Sequence, residues 1–127
     1  MSQENVEIVA AFFEAATSNE HEAYLADDVE FVPFTRLAGR SRGPEGFTRQ
    51  IAEIADQFAE YEVRAEQLRP VGDRVVAALQ RRARSTRSPV PLTDRFAQVF
   101  TLLDREIVRI QSYPSFSEAL EAAGLQE

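Results

Sequence analysis

The sequence lacks several residue types on which catalysis and metal binding commonly depend. It contains no cysteine, and all fourteen of its basic side chains are arginine, so it also contains no lysine. Without thiols the chain forms no disulfide and no thiolate zinc site, and without lysine it forms no Schiff base. The single histidine, His21, leaves no second imidazole for a metal site or a proton relay. Any catalysis would therefore rest on carboxylates, tyrosines, hydroxyls or arginines, and we expect neither a cofactor nor a metal.

The chain is strongly acidic, with a formal net charge of −7. An acidic surface repels nucleic acid and anionic lipid, so we expect neither as a partner. No apolar run approaches the roughly twenty residues that a membrane-spanning helix needs. The first residues carry acids where a secretory signal would carry bases, which favours a cytoplasmic protein. Two arginine clusters, at 36–42 and 81–87, are expected to be solvated or paired with acids.

The first half of the chain has the apolar spacing of helices. Residues 4–17 place their apolar side chains on one helical face. A capping box that begins at Asn19 predicts a short second helix through Ala26. Pro44 is favoured in a first helical turn, and the apolar stripe that follows it predicts a third helix reaching Phe58.

The rest of the chain has the pattern of strands joined by short turns. The predicted strands are 29–32, 60–71, 75–84, 92–103 and 107–113. Consecutive strands with short turns predict an antiparallel meander. A last helix begins at Ser115, where Glu118 completes a capping box, and ends at Gly124. The 127 residues therefore predict one α+β domain spanning residues 1–127.

Several phrases along the chain carry a family resemblance through their order and spacing. They are Asn5 to Val9, Phe12 to Ala15, Ala26 to Phe31, Gly43 to Phe47, Gly72 to Val76, Arg95 to Leu102, Ile107 to Ile110, and Glu118 to Leu125. Together they resemble the SnoaL-like proteins of the NTF2-like, ketosteroid-isomerase-like superfamily. The resemblance implies a cone, in which a strongly bent sheet wraps around helices and leaves a cavity at its open end. Members include isomerases, polyketide cyclases, epoxide hydrolases, dehydratases and domains without known chemistry, so the fold alone does not fix a function.

The known catalytic sets of this superfamily are not matched by the sequence. The resemblance places the isomerase base at Val32 or Pro33, its tyrosine near Phe12 and its second acid near Val99, and all of these residues are apolar. Ketosteroid isomerisation needs polar groups at these positions, so we expect no such activity.

Two other reactions of the superfamily also lack their residues. The cyclases are expected to use a histidine and an aspartate on the late strands, where the nearest polar residue here is Gln98, which cannot act as a base. The epoxide hydrolases use two aspartates bridged by an arginine, but Asp94 and Arg95 are strand neighbours and point to opposite faces. His21 is expected to be solvated or to cap a short polar helix.

Alternation along the strand 92–103 assigns its residues to faces. Comparison with the family favours Arg95, Ala97, Val99 and Thr101 on the cavity side. Phe96, Phe100 and Leu102 would then lie on the convex face, which is too apolar to stay in water, so this register predicts a homodimer formed through that face. The opposite register would place these three residues in the core and weaken the argument for a dimer.

The predicted pocket combines apolar residues with a few polar ones. The candidates are Phe12, Tyr24, Phe31, Phe34, Phe47, Ile51, Phe58, Gln80, Arg82, Arg95, Val99, Ile110 and Ser112. Two buried arginines would need an anionic partner, so the favoured hypothesis is binding of a small apolar or acidic organic molecule. The alternatives are a non-enzymatic dimerisation or interaction module with a closed cavity and, third, a carboxylate-dependent isomerase, lyase or hydrolase.

Overall fold

The computed structural model describes residues 2–15, 20–33, 40–87 and 90–124. Its helices are α1 (Ser2–Ala15), a short 3₁₀-helix (Glu20–Tyr24), α2 (Pro44–Ala55) and α3 (Phe116–Ala122). Its strands are β1 (Leu25–Val32), β2 (Ser41–Arg42), β3 (Phe58–Val71), β4 (Arg74–Ser85), β5 (Pro91–Leu103) and β6 (Glu106–Tyr113). The predicted α+β class is confirmed.

The six strands form one sheet in the order β2-β1-β6-β5-β4-β3. Strands β3 to β6 make the predicted antiparallel meander. The complete sheet is mixed, because β1 pairs with β6 in parallel. The chain between these two strands includes β2, α2 and the strands β3 to β5, and it brings β6 alongside β1 in the same direction.

The helix boundaries follow from local chemistry near the predicted positions. Pro44 occupies the first turn of α2, and Gly43 before it has a φ of 84°, a conformation that favours glycine. The Ser115 hydroxyl accepts a hydrogen bond from the Glu118 backbone and caps α3. The second helix is shorter than predicted, because β1 begins at Leu25, and its predicted cap, Asn19, lies outside the described residues.

The main core lies on the inner face of the sheet, which is the face that packs against α1 and α2. Val9 and Phe12 of α1 and Phe47 of α2 pack there against buried strand residues. Those strand residues include Val29, Phe31, Val75, Ala77, Leu79, Phe96, Phe100, Leu102, Ile107 and Ile110. The predicted register of β5 is therefore wrong, since Phe96, Phe100 and Leu102 are core residues and not a convex surface.

The outer face of the sheet is covered in part by α3. Val76, Ala97 and Val99 pack there against Ala119 and Leu120 of the helix. A homodimer through Phe96, Phe100 and Leu102 thus loses the surface on which it was predicted, and dimerisation itself stays a prediction. No helix in the described part of the chain is long and apolar enough to cross a membrane.

Candidate ligand-binding site

Aromatic rings fill the centre of the inner face. Phe12 contacts Phe47 and Phe100 with ring centroids 5.8 and 5.7 Å apart, and Phe31 lies 5.2 Å from Phe47. Phe13 packs against Phe100 at 5.5 Å. The Phe12–Phe47 pair is tilted and the others are edge-to-face, an arrangement that is favourable for aromatic pairs. The predicted pocket residue Phe47 therefore contacts two others, Phe12 and Phe31, in the core.

Beyond these rings the inner face becomes polar. Gln98 and Ser112 face each other across β5 and β6, and the Gln98 amide donates a hydrogen bond of 3.2 Å to the Ser112 hydroxyl. Both side chains are buried, although polar groups are costly to remove from water. The predicted pocket residue Ser112 is thus on the expected side, and Gln98 joins it there.

Farther along β5, an ion pair stands on the same inner face. The Arg81 guanidinium donates to both carboxylate oxygens of Asp94 and lies 5.3 Å from the centre of the Phe96 ring. These hydrogen bonds hold the pKa of Asp94 below its ordinary value. Burial raises the pKa of Tyr61, whose hydroxyl also interacts with Arg81. We call Tyr61, Arg81, Asp94, Gln98 and Ser112 the polar end of the inner face.

Four predicted pocket residues lie on the opposite face. Val99 packs under α3, and Gln80 and Arg82 alternate with Leu79 and Arg81 and so point outward. Arg95 is 70% exposed and donates to Glu66 at 2.8 Å. The predicted orientation of Gln80, Arg82, Arg95 and Val99 is therefore wrong, while the prediction that Asp94 and Arg95 point to opposite faces is confirmed.

The remaining predicted residues surround the core. Ile110 is buried in the core of the inner face. Tyr24 and Ile51 pack against this core and are partly exposed. Phe58 stacks on Tyr61 with ring centroids 5.5 Å apart, next to the polar end. Phe34 lies outside the described residues. Ligand contacts of these residues stay a prediction.

A series of polar contacts that the sequence pattern did not predict links the 3₁₀-helix to α2. His21 is buried, and its Nε2 lies 2.9 Å from the Thr48 hydroxyl, which donates to the Glu22 carboxylate at 2.6 Å. The His21 ring also contacts Phe12 and Phe47. The expectation of a solvated or capping histidine is therefore wrong, because a hydroxyl 27 residues away satisfies one ring nitrogen.

A charged surface cleft lies next to these polar contacts, at the start of α2. It has a volume of about 470 Å³ and is lined by Glu22, Asp27, Arg42, the first turn of α2 and Arg49. The cleft is open to solvent and separate from the polar end of the inner face. Its mixed charges alone do not point to a particular ligand.

The family model of the SnoaL-like domain matches residues 6–110. The chain belongs to this family. The matched residues run from α1 into β6 and include both faces of the sheet. Among curated proteins, none matches the sequence of this SnoaL-like domain.

Solved structures share the fold of the SnoaL-like domain at low sequence identity. TerC, co-crystallised with polyporic acid, is 20% identical with a TM-score of 0.76, over 96% of this chain and 99% of its own. A protein with a ketosteroid isomerase-like fold from Catenulispora acidiphila, in complex with trimethylamine, is 24% identical with a TM-score of 0.74, over 94% of each chain. An NTF2-like protein of unknown function from Burkholderia pseudomallei is 19% identical with a TM-score of 0.76, over 98% of this chain and 100% of its own. These similarities confirm the predicted cone.

The buried histidine gives the SnoaL-like domain a predicted pH dependence of stability. Burial lowers the pKa of His21 from its ordinary value of 6.5, and the Glu22 charge opposes this shift. The unfolded chain therefore binds this proton more readily than the folded protein does. The contribution of neutral His21 to the free energy of unfolding is complete above about pH 6.5 and is lost as the pH falls toward the lower folded-state pKa.

Urea denaturation between pH 5.5 and 8 measures this effect. The free energy of unfolding should fall toward the acidic limit in the wild type. It should change less in His21→Gln, whose amide can still donate to Thr48 but carries no titrating group. Asp94 and Glu66, whose pKa values are lowered by their arginine partners, titrate below this window. Equal slopes in the two proteins would contradict the assignment to His21.

Proposed function

We propose that this SnoaL-like domain binds a small, largely apolar organic molecule with a carbonyl or hydroxyl group at the polar end of its inner face. The observation that carries the proposal is the buried hydrogen bond between Gln98 and Ser112. Two aliphatic side chains would occupy this part of the core without the cost of burying polar groups. An amide and a hydroxyl placed together supply both a donor and an acceptor for a ligand.

The surroundings of the polar pair match the mostly apolar walls of small-molecule sites. Phe96 precedes Gln98 on the inner face of β5, and Phe100 follows it. Ligand sites typically combine such apolar walls with a small number of placed polar groups. The ligands named for two proteins of the same fold, polyporic acid and trimethylamine, are also small organic molecules. They support a ligand of this size and leave its identity open.

The pair is suited to holding a ligand and not to transferring a proton. Gln98 has no proton-accepting group near neutral pH, and a serine hydroxyl needs an adjacent base to become a nucleophile. The hydrogen bond of Ser112 is to an amide, which cannot activate it. The proposal is therefore binding, with the ligand oriented by hydrogen bonds.

A second candidate is an interaction module with a closed core. It is favoured by the contacts of Phe12, Phe47 and Phe100, which fill the centre of the inner face. The apolar dimer surface expected for such a module included Phe96 and Phe100, and both of these residues are buried. Ligand titration separates the two candidates, since a closed module binds no small molecule in its core.

Replacement of Gln98 tests the proposed site. We expect the wild type to bind 2-acetylnaphthalene, and Gln98→Leu to bind it about twofold to tenfold more weakly, because a hydrogen bond contributes about 0.5–1.5 kcal/mol. Calorimetric titration measures the affinity. Thermal unfolding with and without the probe gives a second readout, because a ligand of the native state raises the melting temperature.

The matched control is Gln80→Leu, which makes the same change on the outer face of the neighbouring strand. Its affinity for the probe should equal that of the wild type. The melting temperature of unliganded Gln98→Leu should stay close to that of the wild type, because burial of an apolar residue of similar size offsets the lost hydrogen bond to Ser112. Equal affinities in the Gln98 and Gln80 variants, or no binding by the wild type, would reject the proposed site.

A further inference from the structure

Arg81 is the arginine of the described strands that faces the polar end of the inner face. It lies on β4 opposite Asp94 and Val63, and Val63 packs against the inner core. Its guanidinium stacks on the ring of Phe96, which also belongs to that core. The arginines first expected in the pocket, Arg82 and Arg95, point to the other face. The positive charge nearest to a ligand at the polar end is therefore that of Arg81.

The guanidinium of Arg81 is already occupied. Its Nε donates to one carboxylate oxygen of Asp94 at 2.9 Å, and its Nη2 donates to the other. The Tyr61 hydroxyl takes a further interaction with the same guanidinium. A bidentate pair is the geometry in which arginine also binds the carboxylate of a ligand. Asp94 thus occupies the place that an acidic ligand would take.

We infer that Asp94 sets the ligand charge at this site, so that the polar end takes neutral molecules with a carbonyl or hydroxyl and rejects carboxylates. The inference rests on the proposed function and names its ligand class. It replaces the acidic ligand expected from Arg82 and Arg95.

Two effects act against an anionic ligand. A carboxylate brought to Arg81 would lie beside the Asp94 carboxylate, and like charges placed together repel each other. The Nε and Nη2 groups of Arg81, which would bind such a carboxylate, already donate to Asp94. A neutral carbonyl avoids this repulsion and can still accept a hydrogen bond from the Gln98 amide. The Asp94 side chain is 52% exposed, so the pair can be reached from solvent.

The neighbouring residue on β5 provides a matched control. Arg95 forms a similar pair with Glu66 on the outer face, with contacts of 2.8 and 3.4 Å. Each pair joins an arginine to both oxygens of one carboxylate, and the two lie on opposite sides of the same strand. A substitution that frees Arg81 on the inner face can therefore be compared with one that frees Arg95 on the outer face.

The experiment compares two probes of nearly equal shape, 2-acetylnaphthalene and 2-naphthoate, in purified full-length protein. We expect the wild type to bind the ketone at least tenfold more tightly than the carboxylate. Asp94→Asn frees the Arg81 charge and should shift the ratio of affinities by about tenfold or more toward 2-naphthoate. Glu66→Gln should leave the ratio within twofold of that of the wild type. Circular dichroism and thermal unfolding confirm that each variant is folded.

A double variant keeps the test decisive. Adding Arg81→Gln to Asp94→Asn removes the freed cation, so the gain for 2-naphthoate should disappear. If both probes bind and Asp94→Asn leaves their ratio unchanged, the role of Asp94 is rejected while the proposed binding site stands. The same holds if Glu66→Gln shifts the ratio equally. If neither probe binds to the wild type, the proposed function is rejected together with this inference.

Discussion

Replacement of Phe100 with alanine is expected to lower the free energy of unfolding by about 3–5 kcal/mol, the range typical of deleting a buried ring. Phe100 is completely buried, and its ring contacts Phe12 and Phe13 of α1. The variant loses these contacts and leaves a cavity between the sheet and the helix. Because domains are stable by only about 5–15 kcal/mol, the variant should unfold at a much lower urea concentration than the wild type. Equilibrium urea denaturation followed by circular dichroism measures the change.

Leu103→Ala is the control for this prediction. Leu103 lies three residues away on the same strand but is 63% exposed. Its replacement should change the free energy of unfolding by no more than about 0.5 kcal/mol, as is usual for surface sites. Equal effects at the two positions would show that Phe100 is not a core residue and would restore the register in which it faces outward.

Val76→Asp is expected to be as disruptive on the other face of the sheet. Val76 is completely buried beneath α3, where it packs with Val99 and Ala119. An unpaired carboxylate in such a place typically costs about 3–5 kcal/mol, in addition to the lost apolar packing. Burial raises the pKa of such a carboxyl, so the loss should be smaller at pH 5 than at pH 8, where the charged form is favoured. Urea denaturation at the two pH values measures both effects.

Ala78→Asp provides the comparison, because Ala78 has the same orientation on β4 but is only half-buried. Its carboxylate can reach water, so we expect a cost of no more than about 1 kcal/mol and little dependence on pH. Hydrogen exchange in α3 adds a local readout, since a charge beneath this helix should loosen it first. If Val76→Asp were as well tolerated as Ala78→Asp, α3 would not cover this face.

Local chemistry was enough to predict most of the elements. Pro44 and the Ser115 cap mark helix starts through contacts within a few residues, and Gly72 and Asp104 mark tight turns in the same way. The parallel pairing of β1 with β6 could not be found in this manner. It depends on which strand edges are left unpaired after the meander has formed.

The face assignment of β5 failed because both faces of this strand are buried between Phe96 and Phe100. Alternation identifies an inner face only when the other face is in water. Here α3 covers the outer side, where the small residues Ala97 and Val99 leave space for the helix. Side-chain size distinguishes the two faces better, because the large rings of Phe96 and Phe100 occupy the face that packs against α1 and α2.

The polar pairs of the site could not be predicted from local sequence either. Gln98 and Ser112 lie on different strands, and Arg81 and Asp94 are brought together only by the pairing of β4 with β5. Likewise, Thr48 meets His21 through the packing of α2 against the 3₁₀-helix. These partners are distant in sequence, so residue type and spacing could nominate single residues but not the pairs that they form.

The pairing of the first strand with the last also determines when the protein can fold. Leu25 of β1 pairs with Ile107 of β6, so β1 has no neighbour of the meander until β6 has been synthesised. Contacts so far apart in sequence carry a high entropic cost and are associated with slow folding. During synthesis the edge of β1 that pairs with β6 would therefore stay open, and its closure would be one of the last steps in forming the sheet.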